Sequence, residues 1–225
     1  MDTKPVFSNI YVGSIEDIND PTFLSLHSIS HILSVATEVS DINLSFLNSP
    51  STNEAQNISF KHIPLEDYAH VDFIQHHDEI LDFYKSSLSG NILISCYAGI
   101  SRSTSVFLLI LMSFYTQTLS NSWRILKRSR PLARPNLGFM ISLCQFEMKK
   151  FKLKTTTMDM VSYTAFYVSY LLSAPSFGFE LIQDCVVKHY EKKKEVVDGD
   201  PTEWVAIQDQ VLADFFGFQW TKLVK

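Results

Sequence analysis

The chain has 225 residues, of which 46% are hydrophobic, 13% aromatic and 19% charged, an ordinary globular composition with enough apolar material for a sizeable core. Its net charge of −5 argues against a general nucleic-acid binder. Three scattered cysteines, Cys96, Cys144 and Cys185, exclude a disulfide framework, and the lack of a Cys-x-x-Cys pair argues against a structural zinc site.

The start, MDTKPVFSNI, carries neither the apolar core of a signal peptide nor a glycine after the initiator for myristoylation. The longest apolar run, Val106 to Met112, is too short to span a bilayer. The expectation is a soluble protein of a reducing compartment, cytoplasmic with the nucleus as a second location.

In chain order, Asn9 to Gly13 reads as a short strand. Asp20-Pro21 opens a helix whose apolar side is Phe23, Leu24, Leu26 and Ile29. His31 to Val35 reads as a buried strand, Thr37 to Asn57 as mostly loop, and Ser59 to Ile63 as a strand ending at Pro64. Phe73 to Leu88 has helical spacing and is closed by Gly90. Asn91 to Ser95 is a strand that runs directly into Cys96-Tyr-Ala-Gly-Ile-Ser-Arg102. The helix from Ser103 to Tyr115 is apolar nearly all round and so is expected to be buried. Helices follow at Leu119–Ser129 and Asn136–Phe151. Strands alternating with helices imply a largely parallel sheet covered on both faces.

If Cys96 to Arg102 joins a strand to a buried helix, it meets unpaired amides and the positive end of the helix macrodipole. Such a turn binds phosphate. Gly99 permits the tight curvature, and the planar fork of Arg102 suits two phosphate oxygens. The same field is expected to lower the Cys96 pKa and make its thiolate a nucleophile. A buried, inert cysteine is the bland alternative.

These residues carry a resemblance. SCYAGISRS resembles the signature loop of the dual-specificity branch of the protein tyrosine phosphatase family, which reads Cys, five residues, Arg, then Ser or Thr. Asn9 to Gly13 resembles the family's opening strand, Ile63-Pro-Leu-Glu-Asp67 its general-acid loop, and Arg134-Pro-Asn-Leu-Gly-Phe139 its late Pro-Asn-x-Gly-Phe motif. Together they cover residues 6–151. The resemblance implies an α/β fold of the protein tyrosine phosphatase type, with a central, mostly parallel sheet flanked by helices. It sets a catalytic domain at residues 1–152 and a mainly helical extension at 153–225.

The resemblance also implies a two-step phosphoryl transfer on Cys96, with Asp67 as general acid and then base. Arg102 and the loop residues Tyr97, Ala98, Gly99, Ile100 and Ser101 would hold the phosphate, with no metal or cofactor. Asp72 is the runner-up acid, and Glu66 lies close by. Ser103 is expected to hydrogen-bond the Cys96 sulfur, with helix capping as the alternative. Asn136 is expected to brace the loop or to cap its own helix. One departure stands out: Ser95 replaces the family's usual His before the cysteine, so Ser95 is a loop-support residue that brings no imidazole. The implied substrates are phosphoproteins, with signalling kinases as candidate partners. A phosphoprotein-binding pseudophosphatase with weak turnover is the alternative, on account of Ser95.

His70, His76, His77, Asp78 and Glu79 contain metal-capable groups, but adjacent helical histidines point apart, so no metal site is expected there. The basic stretch Arg124, Lys127, Arg128, Arg130 and Arg134 reads either as a solvated face or as an attractor of acidic substrates. Cys144 sits on an apolar face and reads as core. Beyond Leu153, helices are expected around Tyr163–Leu171, Glu180–Lys194 and Trp204–Phe216, the last closed by Gly217. The aromatics Tyr163 to Tyr170 are a candidate face for a protein partner, with core packing as the alternative.

Overall fold

Four short apolar segments form one sheet: β1 (Ile10–Gly13), β2 (Ile29–Ser34), β3 (Ser59–His62) and β4 (Asn91–Ser95). All neighbours pair in parallel, in the order β1-β4-β2-β3. The structure, a computed structural model, describes residues 5–38, 58–172, 179–200 and 202–223, without the side chains of Gly199 and residues 216–223. Most of the loop expected between Thr37 and Asn57 therefore lies outside the described residues.

The register puts Gly13, Ser95, Ser34 and His62 side by side at the carboxyl ends of their strands. Four connections thus leave one edge of the sheet together, which is where open parallel sheets place their ligands. Ile92, Leu93 and Ile94 are all fully buried, so both faces of β4 are covered. One face packs a cluster that includes Tyr11, Ile15, Ile18, Leu24, Ile32 and Leu93. Against β1 and β4 lies α4 (Arg102–Ser113), buried from Arg102 through Met112, with α3 (His77–Ser86) and α5 (Leu119–Ser129) beside it. Each large apolar side chain so buried contributes about 1.5–3 kcal/mol.

Local chemistry sets the helix starts. Asp20 caps α2 (Pro21–Leu26), accepting from the amides of Thr22 and Phe23 at 2.9 and 3.2 Å. Thr118 caps α5 by accepting from the Asn121 amide at 3.3 Å. A short helix absent from the sequence reading, α1 (Ile15–Ile18), starts where the Ser14 amide and hydroxyl bond Asp17 at 2.6 and 2.9 Å.

Elsewhere the sequence periods ran too long. Leu26 is 69% exposed, because α2 ends there and Ile29 already belongs to β2. Phe73–His76 is a 3-10 turn capped by Asp72, and α3 stops at Ser86, leaving Leu88 half exposed.

The chain divides into two compact units, Met1–Phe139 and Met140–Lys225, with the break inside α6 (Leu137–Phe151). The second unit contains α7 (Met160–Leu171), α8 (Phe179–Gly199) and α9 (Glu203–Leu223). Its core includes Tyr163, Val168, Ile182, Val186, Trp204, Ile207 and Val211. Tyr163 therefore supports the core-packing reading of the aromatic face, whereas Tyr170 is exposed. Buried Glu147 accepts from the Thr156 hydroxyl (2.6 Å), the Thr157 amide (2.8 Å) and the Thr157 hydroxyl (2.6 Å), which explains the two threonines that follow α6 at 156 and 157. α9 continues through Gly217, since a glycine ends a helix only where the backbone turns left-handed. No described helix is long and apolar enough to cross a membrane.

A Cβ at position 138 would overlap the carbonyl of Ala69, two residues beyond Asp67. Gly138→Ala is expected to cost about 1–3 kcal/mol, read as a lower urea midpoint at unchanged slope.

Candidate active site

Cys96 follows β4 at the middle of the sheet edge, where its amide donates to Gly13 O at 3.3 Å and its side chain is 2% exposed. Ser103, in the first turn of α4, places Oγ 3.2 Å from Cys96 Sγ and 3.4 Å from Gly13 O. The capping position belongs to Ser101, so the structure supports the sulfur-directed reading of Ser103.

The loop between them is held through its carbonyls. Tyr97 O accepts from the Ile15 amide (3.2 Å), and Ile100 O from the Arg134 amide (2.8 Å) and the Thr104 hydroxyl (2.6 Å). Gly99 O accepts from Arg130 Nε and Nη2 at 3.2 and 2.9 Å. Gly99 has φ +69°, and a Cβ there would press on Gly13 O. Among the described residues, no acceptor engages the amides of residues 97–102. Amides without an intramolecular acceptor are what an anion-binding nest requires. Tyr97 and Ala98 are exposed at the rim, whereas Gly99 and Ser101 are buried.

Arg102 is 6% exposed. Its Nη1 donates to Glu38 Oε2 (3.0 Å) and Leu65 O (3.1 Å), and its Nη2 to Glu38 Oε1 (3.5 Å). The fork expected to grip two phosphate oxygens is thus turned onto Glu38. The buried donor without a hydrogen bond is Nε, which lies 3.8 Å from Asp67 Oδ2. Burial pushes the Glu38 carboxyl up, but the Arg102 hydrogen bond, its own backbone, the Arg102 charge and Thr37 together bring it below the ordinary carboxylate value. Glu38 was missed from sequence, because a single acid before a polar loop gives no signal of its partner.

Asp67 comes off β3 with the loop Ile63–Asp67, and its Oδ1 accepts from Ser101 Oγ (2.7 Å) and Asn136 Nδ2 (2.8 Å). Asn136 caps α6, its Oδ1 accepting from the Phe139 amide (2.9 Å), but it reaches the signature loop through its backbone amide, which donates to Ser101 Oγ (3.0 Å), while its side-chain Nδ2 goes to Asp67. Asp72 caps the 3-10 turn, its Oδ1 accepting from the Ile74 amide at 3.0 Å, and Glu66 is exposed, as is Asp67.

The basic stretch divides in two. Arg124 and Arg128 are exposed, as a solvated face requires. Lys127 turns back onto the carbonyls of Pro131 and Ala133, and Arg130 reaches under the loop to Gly99 O and, through Nη1, to Val12 O at 2.6 Å. Burial draws the Arg130 pKa down, opposed by the charges of Asp17 and Cys96, yet a guanidinium remains cationic. Ser95 departs from its expected role. Its carbonyl accepts from the Val35 amide at 2.8 Å, but its fully buried hydroxyl has no protein partner among the described residues, so the side chain gives the loop no bond. His70 stacks on Tyr68, His76 and Lys61 pair with Glu79, and His77 bonds Asp78 and Ser113, so these histidines serve separate contacts.

The family model of the dual specificity phosphatase catalytic domain matches residues 10–149. The chain belongs to this family. A probable dual specificity protein phosphatase of Dictyostelium discoideum is 32% identical over 147 residues, covering 65% of this chain and 63% of the relative. Dual specificity protein phosphatase 15 of Mus musculus is 30% identical over 143 residues, covering 63% of this chain and 56% of the relative. The chain thus spans less than two thirds of these relatives' own lengths. The crystal structure of DUSP15 superposes with a TM-score of 0.55 at 29% identity, over 67% of this chain and 90% of that one. A human tyrosine phosphatase-like serine/threonine/tyrosine-interacting protein gives 0.56 at 20% identity, a likeness of fold.

Two outcomes check this site. Arg130→Met is expected to lower kcat/KM for an aryl phosphate by up to about 100-fold, with weaker vanadate inhibition, because Gly99 loses its clamp. Ser95→Ala is expected to change stability by less than about 1 kcal/mol in urea melts, since its hydroxyl makes no bond to lose.

Proposed function

We propose that the chain is a dual-specificity protein phosphatase that hydrolyses phosphotyrosine and phosphoserine or phosphothreonine through a phosphocysteine on Cys96. The reading is supported by three features along one turn: a buried thiol beside Ser103 Oγ, the unbonded amides of residues 97–102, and Arg102 Nε facing Asp67. The family assignment and the names of its relatives support the same reading.

In the first step the Cys96 thiolate attacks phosphorus, forming the S–P bond as the ester P–O bond breaks. Asp67 gives its proton to the leaving oxygen. The amides of residues 97–102 and Arg102 Nε stabilise the equatorial oxygens. In the second step Asp67, now ionised, takes a proton from water as the water attacks phosphorus. The S–P bond breaks, and the Ser103 hydroxyl donates to the departing thiolate across the observed 3.2 Å. Asn136 and Ser101 position the acid by fixing Oδ1, which leaves Oδ2 toward the incoming ester. Phosphoproteins, signalling kinases among them, are the substrate class, and a reducing compartment, cytosol or nucleus, keeps Cys96 a thiol.

Steady-state hydrolysis of aryl phosphates checks the assignment. Cys96→Ser should abolish turnover while vanadate binding persists. Asp67→Asn should lower kcat by about 10²–10⁴-fold, most for poor leaving groups. Equal slowing across leaving groups would give the acid role to another residue. Vanadate binding by a wild type without turnover would favour the pseudophosphatase reading.

A further inference from the structure

The three cysteines have different surroundings. Cys96 belongs to the candidate active site. Cys144 is fully buried, with its Sγ 3.6 Å from Met160 Sδ, and is enclosed in the core. Cys185 lies on α8 one helical turn before His189, so both side chains leave the same face. Asp214 on α9 meets them both. His189 Nε2 is 2.8 Å from Asp214 Oδ2, and Cys185 Sγ is 3.6 Å from the same oxygen. One ligand atom from each of the three lies within 4.8 Å of the others, the group of this kind found among the described residues.

We infer that Cys185, His189 and Asp214 form a zinc(II) site that ties α8 to α9. A His–Asp hydrogen bond accounts for the 2.8 Å contact and an S–H donation from Cys185 for the 3.6 Å one, but the meeting of a thiol, an imidazole and a carboxylate at one point is also the donor set that zinc takes. Zinc bonds of about 2.0–2.3 Å in a tetrahedron place ligand atoms roughly 3.3–3.8 Å apart. Of the observed distances, 3.6 Å falls within that range, 2.8 Å lies below it and the third pair is within 4.8 Å, so modest side-chain shifts complete three corners. A thiolate and an imidazole select zinc over magnesium or calcium, which prefer oxygen alone. Outside the ligands, Gln210 Nε2 donates to Asp214 Oδ1 at 3.1 Å and holds Oδ2 toward the thiol and the imidazole. The fourth corner is left to water. The sequence hid this set, because Asp214 stands 25 residues from His189 and no paired-cysteine motif announces it.

Cobalt(II) is the spectroscopic probe, used on the full chain carrying Cys96→Ser so that the active-site thiol takes no metal. One equivalent should bind with tetrahedral d–d bands and a thiolate-to-cobalt charge-transfer band. Zinc should bleach both, and excess magnesium or calcium should not. Adding Cys185→Ser should remove the charge-transfer band. Adding Gln210→Ala, which deletes no ligand and is mild in folding, should keep the band and weaken affinity by about tenfold. Absence of a stoichiometric band, its survival in the Cys185→Ser chain, or an unchanged affinity with Gln210→Ala would overturn the site. Aryl phosphate hydrolysis by the Cys96 chain does not enter this readout, so its failure and that of the proposed activity are separable.

Discussion

A turn that is to receive an anion on its backbone amides cannot use those amides to hold itself in shape. This constraint governs the stretch from Cys96 to Arg102. Its stiffness comes from the opposite side of the peptide groups, where the carbonyls of Tyr97, Gly99, Ile100 and Ser101 accept bonds from Ile15, Arg130, Arg134, Thr104 and Ser105. Donors therefore come from α1, from the first turn of α4, from the end of α5 and from the approach to α6. The apolar layers position those elements, so the precision of the site depends on the packing around the sheet.

A second tie fixes the charges. Asp67 Oδ1 is shared by Ser101 and Asn136, so the acid loop after β3, the signature loop and the start of α6 meet on one oxygen. Arg102 is fixed similarly, with both Nη groups on Glu38 and one also on Leu65 O. A guanidinium held at its far end keeps Nε aimed without paying rotamer entropy when an anion arrives. Glu38 also offsets part of the positive charge, which makes it a competitor as well as an anchor. The replacement of His by Ser95 fits this arrangement. The loop is braced by Arg130, Ser101 and Asn136, none of which needs an imidazole at position 95.

The second unit shows a different economy. Its helices α7, α8 and α9 pack aromatic and aliphatic side chains, with Tyr190 stacked on Trp204 at 5.4 Å and the polar Thr156-Thr157 pair neutralising the cost of buried Glu147. Nothing in the local sequence pairs the threonines with the glutamate. Each makes sense only in the presence of the other, because a buried carboxylate persists only where donors reach it.

Sequence alone determined what is local. β4, the Cys-x5-Arg turn, buried α4 and the limits of α5 follow from hydrophobic period, capping residues and the steric freedom of Gly99, all properties of adjacent residues. The approach of Arg102 to Asp67, 3.8 Å apart, was legible only through a family pattern. The tertiary structure decided what depends on residues far apart in the chain: Glu38 on Arg102, Arg130 under Gly99, the idle hydroxyl of Ser95, and Cys185 with His189 and Asp214. A hydrogen bond or ligand set has a range of a few ångströms, whereas sequence patterns report only the next turn or strand repeat. Which distant group completes a site is therefore fixed by how the layers close.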